Sequence, residues 1–149
     1  MGRFFLVLIS LLTLTGCSTV SVIPGSSITI SGDNGGLVRK YRAKYAAWAE
    51  NGVTVRITGV CFSACTLVTI YVPCERICIT PQAVLGFHAV RNPDGKETAA
   101  SSVENMELTF SYPHQISSWI MEHGGGTLTA KEIFMRYEDL QKVYRTCKP

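Results

Sequence analysis

Apolar and polar positions sort the chain into short strands and helices. Ile28-Thr29-Ile30 is the first strand-like alternation, and Ser31-Gly32-Asp33-Asn34-Gly35-Gly36 breaks it sharply. From Leu37 to Glu50 the spacing becomes helical. Leu37, Tyr41, Tyr45 and Trp48 follow one side, and Arg39, Lys40, Arg42 and Lys44 fall mostly on the other. Asn51-Gly52 is a natural stop. An apolar β-type run, Val53 to Ile57, then feeds a turn at Gly59, which delivers Ser63 to the start of a helical segment, Ala64 to Val72. A second apolar run, Ala83 to Phe87, ends on His88. Strand, helix, strand, helix, strand in that order predicts a layered α/β unit with parallel pairing.

Beyond His88 the polar stretch Arg91 to Lys96 has strong turn chemistry. Ser101 to His123 reads as mainly helical, with Pro113 beginning a new helix or kinking the old one, and Gly124-Gly125-Gly126 ends it. Thr129 with Glu132 three residues on makes a capping box, predicting a short helix from Ala130 to about Tyr137. Leu140 to Tyr144 reads as a last short strand.

Composition changes this picture little. A chain of 149 residues, 46% hydrophobic and 17% charged, has material for one buried core and is unlike a disordered chain. The net charge of +3 is close to balance, and no basic run carries interleaved aromatics, so nucleic acid is not an expected partner.

The N-terminus stands apart from the fold. Arg3 precedes the apolar stretch Phe4 to Leu12, and the segment closes on Leu14-Thr15-Gly16-Cys17. A short basic region before an apolar stretch of this length reads as a secretory signal. Its ending resembles a bacterial lipoprotein signal, which implies lipidation of Cys17 after removal of residues 1–16. Acyl chains there would tether the chain to a membrane through residues 17–27, leaving 28–149 as the domain. By the same resemblance, Ser18 after the cysteine points to outer-membrane sorting, with the domain facing the periplasm.

Export places Cys61, Cys65, Cys74, Cys78 and Cys147 in an oxidising compartment. Five is odd, which leaves at least one free or paired with another chain. One or two disulfides tying the Ser63 helix to the following strand are expected. The two Cys-x3-Cys pairs also invite zinc, but Thr66 to Pro73 between them is largely apolar and reads as packed structure. No metal or other cofactor is therefore expected.

Chemistry concentrates between Gly59 and His88. A hydroxyl at the mouth of a helix, Ser63, sits where free N–H groups favour negative charge. His88, at a strand end, suits the role of its base. Cys61 and Cys65 are alternative nucleophiles near the same histidine. His114 and His123 read as surface residues, and Tyr41, Tyr45 and Trp48 as packing aromatics. A serine at a helix start is also an ordinary cap.

Three pieces together resemble the Clp protease proteolytic subunit and crotonase superfamily, in particular its small exported relatives. They are Gly35-Gly36 between a strand and a helix, Gly59-Val60-Cys61-Phe62-Ser63-Ala64-Cys65, and Gly86-Phe87-His88 at a strand end. The resemblance covers about Ile28 to Tyr144. It implies a layered parallel sheet with flanking helices, Ser63 as nucleophile and His88 as base. The backbone N–H groups of Gly36 and Ala64 become the implied oxyanion donors, acting on amide or ester bonds of a peptide or protein. Self-association is implied as well. One element departs from the family: its triad aspartate corresponds to about Gly125, and Glu122, Glu138 and Asp139 all lie off that position. That departure supports the alternative of a non-catalytic lipoprotein that uses the same fold for binding.

Overall fold

The structure, a computed structural model, describes residues 25–91 and 99–148. Cys17, most of the proposed tether and the signal segment lie outside the described residues. Strand β1 (Ser27–Asp33) leads into helix α1 (Val38–Glu50) and then strand β2 (Thr54–Phe62). A 3₁₀ turn, Ser63–Leu67, runs into the short helix α2 (Val68–Tyr71). Strands β3 (Ile77–Ile79) and β4 (Val84–Phe87) follow, then helices α3 (Ala99–Ser111) and α4 (His114–Gly124). The chain closes with β5 (Ile133–Met135), α5 (Tyr137–Leu140) and β6 (Arg145–Thr146).

The result is a small mixed α/β domain on one curled, mostly parallel sheet. Strand β2 is its spine. Strand β1 runs parallel along one edge, while β3 pairs with Val55–Ile57 and β4 with Val60–Phe62 on the other. Two strands sharing one edge end to end splay the sheet, with β6 parallel outside β3 and β5 antiparallel outside β4. Helical crossovers make the central pairs parallel, because a tight hairpin cannot join parallel strands. Val55, Ile57 and Cys61 alternate into the core, meeting Tyr45, Leu67, Ile77 and Phe87.

Helix α1 follows the expected spacing and ends as expected, with Asn51 N–H donating to Ala47 O at 3.0 Å and Gly52 in a left-handed conformation. Tyr45 is fully buried, and Tyr41 and Trp48 meet it edge-on. Lys44 does not join the solvated basic side. Its Nζ lies 4.0 Å from the Tyr41 ring centroid and 3.6 Å from Asp33 Oδ2, so its charge is held against the aromatic row. Pro113 starts α4 as its N-cap, the first of the two outcomes the sequence allowed.

Four expectations are corrected. Gly59 makes no turn: it lies inside β2, in a bulge where Thr58 and Gly59 together oppose Ser31 of β1, and a Cβ on it would come 1.9 Å from Ser31 O. No helix spans 130–137. Ile133 and Met135 are buried while Phe134 is exposed, a period of two that pairs with the free edge of β4 and overrides the local capping signal. The last strand falls at Arg145–Thr146, because the chain from Tyr137 to Tyr144 turns helically instead. The described disulfides, Cys61–Cys65 and Cys78–Cys147, also differ from a tie between the Ser63 helix and the next strand. The first spans the Ser63 turn itself, and the second joins β3 to the segment after β6. None of the described cysteines is free, and bonded sulfurs are no longer thiolate ligands for zinc or nucleophiles.

Candidate active site

Strand β2 ends on Phe62 in extended geometry, and Ser63 then turns to φ +58°. It is the one described non-glycine residue with positive φ. A left-handed conformation costs an L-residue about 1–2 kcal/mol. Such strain persists only where the surroundings impose it. Here they do: the Cys61–Cys65 bridge spans the turn, with its Cα atoms 5.2 Å apart. Thr66 Oγ1 lies 2.7 Å from Ser63 O, as a donor, and 2.7 Å from the buried Tyr112 hydroxyl.

Pairing of β4 with β2 aligns Phe62 with Gly86, so His88 emerges beside the Ser63 turn. His88 Nε2 and Ser63 Oγ are 2.7 Å apart. The chain beyond His88 is clamped in turn. Ala89 N–H donates to Thr129 O at 2.7 Å, and Val90 N–H donates to Oδ1 of the buried Asn105 at 2.6 Å. Asn105 Nδ2 returns a bond to Val90 O at 3.3 Å. The His88 ring lies against the Phe62 ring, and its Nδ1 is buried without a hydrogen-bond partner among the described residues.

The Gly35-Gly36 turn closes the site from the β1 side. Asp33 Oδ1 accepts the Gly35 N–H at 2.9 Å and the Tyr41 hydroxyl at 2.6 Å. Burial disfavours the Asp33 charge, but these two donors and Lys44 outweigh it and hold the carboxyl below its usual range. Burial, then the bond to Asp33 and its charge, push the Tyr41 hydroxyl up to about 12. Gly35 has φ +78° and packs directly on the nucleophile turn. Past Gly36, α1 opens with no side-chain cap bond and no acidic residue in its first turn. The Lys40 N–H is bonded to Leu37 O at 2.9 Å, and no side-chain cap serves the N–H groups of Val38 and Arg39 ahead of it.

Ser63, His88, Gly36 and Ala64 all line one cavity of about 560 Å³. Its walls are mainly apolar, from Leu37, Leu67, Phe87, Leu108 and Tyr112, and its charged members are Arg39 and Arg91. The four backbone and side-chain positions singled out in the sequence are thus together. The acids are elsewhere. Gly125 is the left-handed C-cap of α4, and Asp139 accepts from Trp119 Nε1 at 3.0 Å and Lys142 Nζ at 2.7 Å. His114 and His123 are exposed, and His123 stacks on Trp119. No group of acids, histidines and cysteines able to hold a metal occurs among the described residues.

Several contributors went unnoticed in the sequence. Asp33-Asn34-Gly35 has the pattern of an Asx turn, which was a usable signal. Thr66, Asn105 and Phe62 gave none, since their roles arise from contacts distant in the chain. No model of a known protein family matches the chain, and no curated protein does either.

Proposed function

We propose that the protein is a serine hydrolase of the Clp subunit and crotonase type, acting on amide or ester bonds in peptides. The observation that carries this reading is the 2.7 Å contact between His88 Nε2 and Ser63 Oγ on the wall of a cavity. Ser63 Oγ attacks the substrate carbonyl while His88 Nε2 takes its proton, giving a tetrahedral intermediate on Ser63. His88 then protonates the leaving amine or alcohol, and a water activated by the same ring releases the acyl group. The N–H groups of Ala64 and Gly36 are the proposed donors to the oxyanion, each worth about 2.7–4 kcal/mol in the transition state. The apolar walls suit a hydrophobic substrate side chain, and Arg39 and Arg91 favour a negative group nearby.

The disulfides agree with export, and the N-terminal segment supports a lipid anchor at Cys17 facing the periplasm. A second reading, a binding module that retains the fold, is favoured by His88 Nδ1, which has no hydrogen-bond partner among the described residues where a triad acid would bond it. The two separate on turnover. Full-length protein in detergent is expected to hydrolyse activated esters and short apolar peptides, with turnover lost in both Ser63→Ala and His88→Ala. Turnover surviving in Ser63→Ala would refute the hydrolase reading; no turnover with any of these substrates would favour binding.

A further inference from the structure

Phe62 lines no part of the cavity, yet its ring is stacked on that of His88, with centroids 4.9 Å apart and planes at 25°. Phe62 is backed in turn by Phe134, at 5.8 Å and 19°. Strand register builds this three-ring ladder. Phe62 of β2 pairs with Gly86 of β4, and Gly86 pairs with Phe134 of β5, so two phenyl groups flank a glycine in one cross-strand row. A Cβ on Gly86 would stand 2.3 Å from Phe62 Cδ2 and 2.9 Å from Phe134 Cε1, so the missing side chain is the space in which the rings meet. His88, two residues on, returns to the same side of the extended chain and completes the stack.

From this arrangement we infer that Phe62 is a positioning residue for His88, holding the imidazole in the role that an acid at Nδ1 fills in a triad. The inference rests on Ser63 and His88 being the reacting pair. The Nε2 contact to Ser63 fixes one point of the ring, and the buried Nδ1 has no partner among the described residues to fix a second. Rotation about the Cβ–Cγ bond is the freedom left. A phenyl plane lying flat on the ring restrains that rotation without any polar contact. Its π face also lies against the group that becomes cationic on taking the Ser63 proton. Phe134 holds Phe62 in this plane, and Gly86 gives it room.

Two measurements on the full-length chain test the role. The first is the ring-proton NMR resonances of His88 with selectively labelled histidine, read against the exposed His114. Wild-type protein and Phe62→Tyr are expected to show a ring-current displacement of His88 that Phe62→Leu loses. The second is the rate at which a fluorophosphonate labels Ser63, expected to fall about tenfold or more in Phe62→Leu and to recover within about threefold in Phe62→Tyr. Phe134→Leu alters an exposed residue and spares Phe62, so it serves if Phe62→Leu does not fold; a smaller fall in rate is expected there. Wild-type labelling with an unchanged rate in Phe62→Leu, or in Phe134→Leu where that variant stands in, overturns the positioning role alone. No labelling of the wild-type chain overturns the role together with the hydrolase reading, whatever the NMR displacement reports of the stack.

Discussion

Replacing Gly35 with alanine is the sharpest mechanical test of how the nucleophile turn is held. At φ +78° the new side chain meets the left-handed penalty of about 1–2 kcal/mol. It also meets atoms: the Cβ would stand 2.6 Å from Phe62 O, 2.7 Å from Ala64 N and 2.9 Å from Ser63 Cβ. The first two are backbone and cannot swing away, so an overpacking penalty of about 1–3 kcal/mol is added. The expected total is about 2–5 kcal/mol, measured as the loss of unfolding free energy in urea on full-length protein. Two controls divide it. Gly125 has nearly the same φ, +83°, with nothing within 4 Å of an added Cβ, so Gly125→Ala reports the backbone penalty alone. Gly32, inside β1, has open space and no positive φ, so Gly32→Ala should raise stability by about 0.4–1 kcal/mol. Because the intruding methyl pushes on Ser63 and Ala64, Gly35→Ala should also slow Ser63 labelling, while Gly125→Ala should not. A Gly35→Ala variant no less stable than Gly125→Ala, with unchanged labelling, would refute the close packing of the two turns.

Other expectations follow from the same geometry. With Ser63 at φ +58°, Ser63→Gly should be more stable than Ser63→Ala by about 1 kcal/mol by urea unfolding; equal stability would mean the turn is unstrained. Asp33 is held below its usual range when folded, so its contribution is present above the ordinary aspartate pKa and lost as pH falls through the folded value. Tyr41 is raised from 10.0 to about 12, so its contribution is present below pH 10 and lost between 10 and about 12. Asp33→Asn should flatten the acid limb in urea midpoints against pH, and move Tyr41 phenolate absorbance to lower pH. The Cys78–Cys147 bridge spans a separation of 69 residues, so opening it with paired serines should cost about 4 kcal/mol on loop-closure grounds. Opening Cys61–Cys65, with a separation of 4, should cost about 2 kcal/mol on the same grounds. A reversed order in unfolding free energy would contradict the entropic account.

The parts of the fold legible in the sequence are those written in local periodicity and punctuation. Helix α1 shows its aromatic stripe and its Asn51-Gly52 stop, β4 is a continuous apolar run, and Pro113 marks a helix start. What escaped was decided across the sheet. Thr129 and Glu132 form a valid local signal for a helix, yet the unpaired edge of β4 takes Ile133–Met135 as a strand. Gly59 looks like a turn glycine because nothing nearby in sequence reveals that it sits in a β2 bulge with Ser31 of β1 pressed against it. At the site, the spacing of Ser63 and His88 suggested a pair, and the side chains do meet. The Asp33 brace is local, bonding Gly35 and Tyr41 two and eight residues on, and its Asx pattern was readable; the Phe62 stack on His88 and Phe134 depends on chain separations that no short motif encodes.

The central claim is that His88 activates Ser63 as a nucleophile, and a covalent adduct tests it most directly. Full-length protein in detergent, treated with a fluorophosphonate across pH 6–9 and digested for mass spectrometry, should carry one phosphonyl group on the peptide containing Ser63. Labelling should be absent in Ser63→Ala and strongly slowed in His88→Ala. An unlabelled wild-type chain, or an adduct that persists when Ser63 is replaced, would contradict the account.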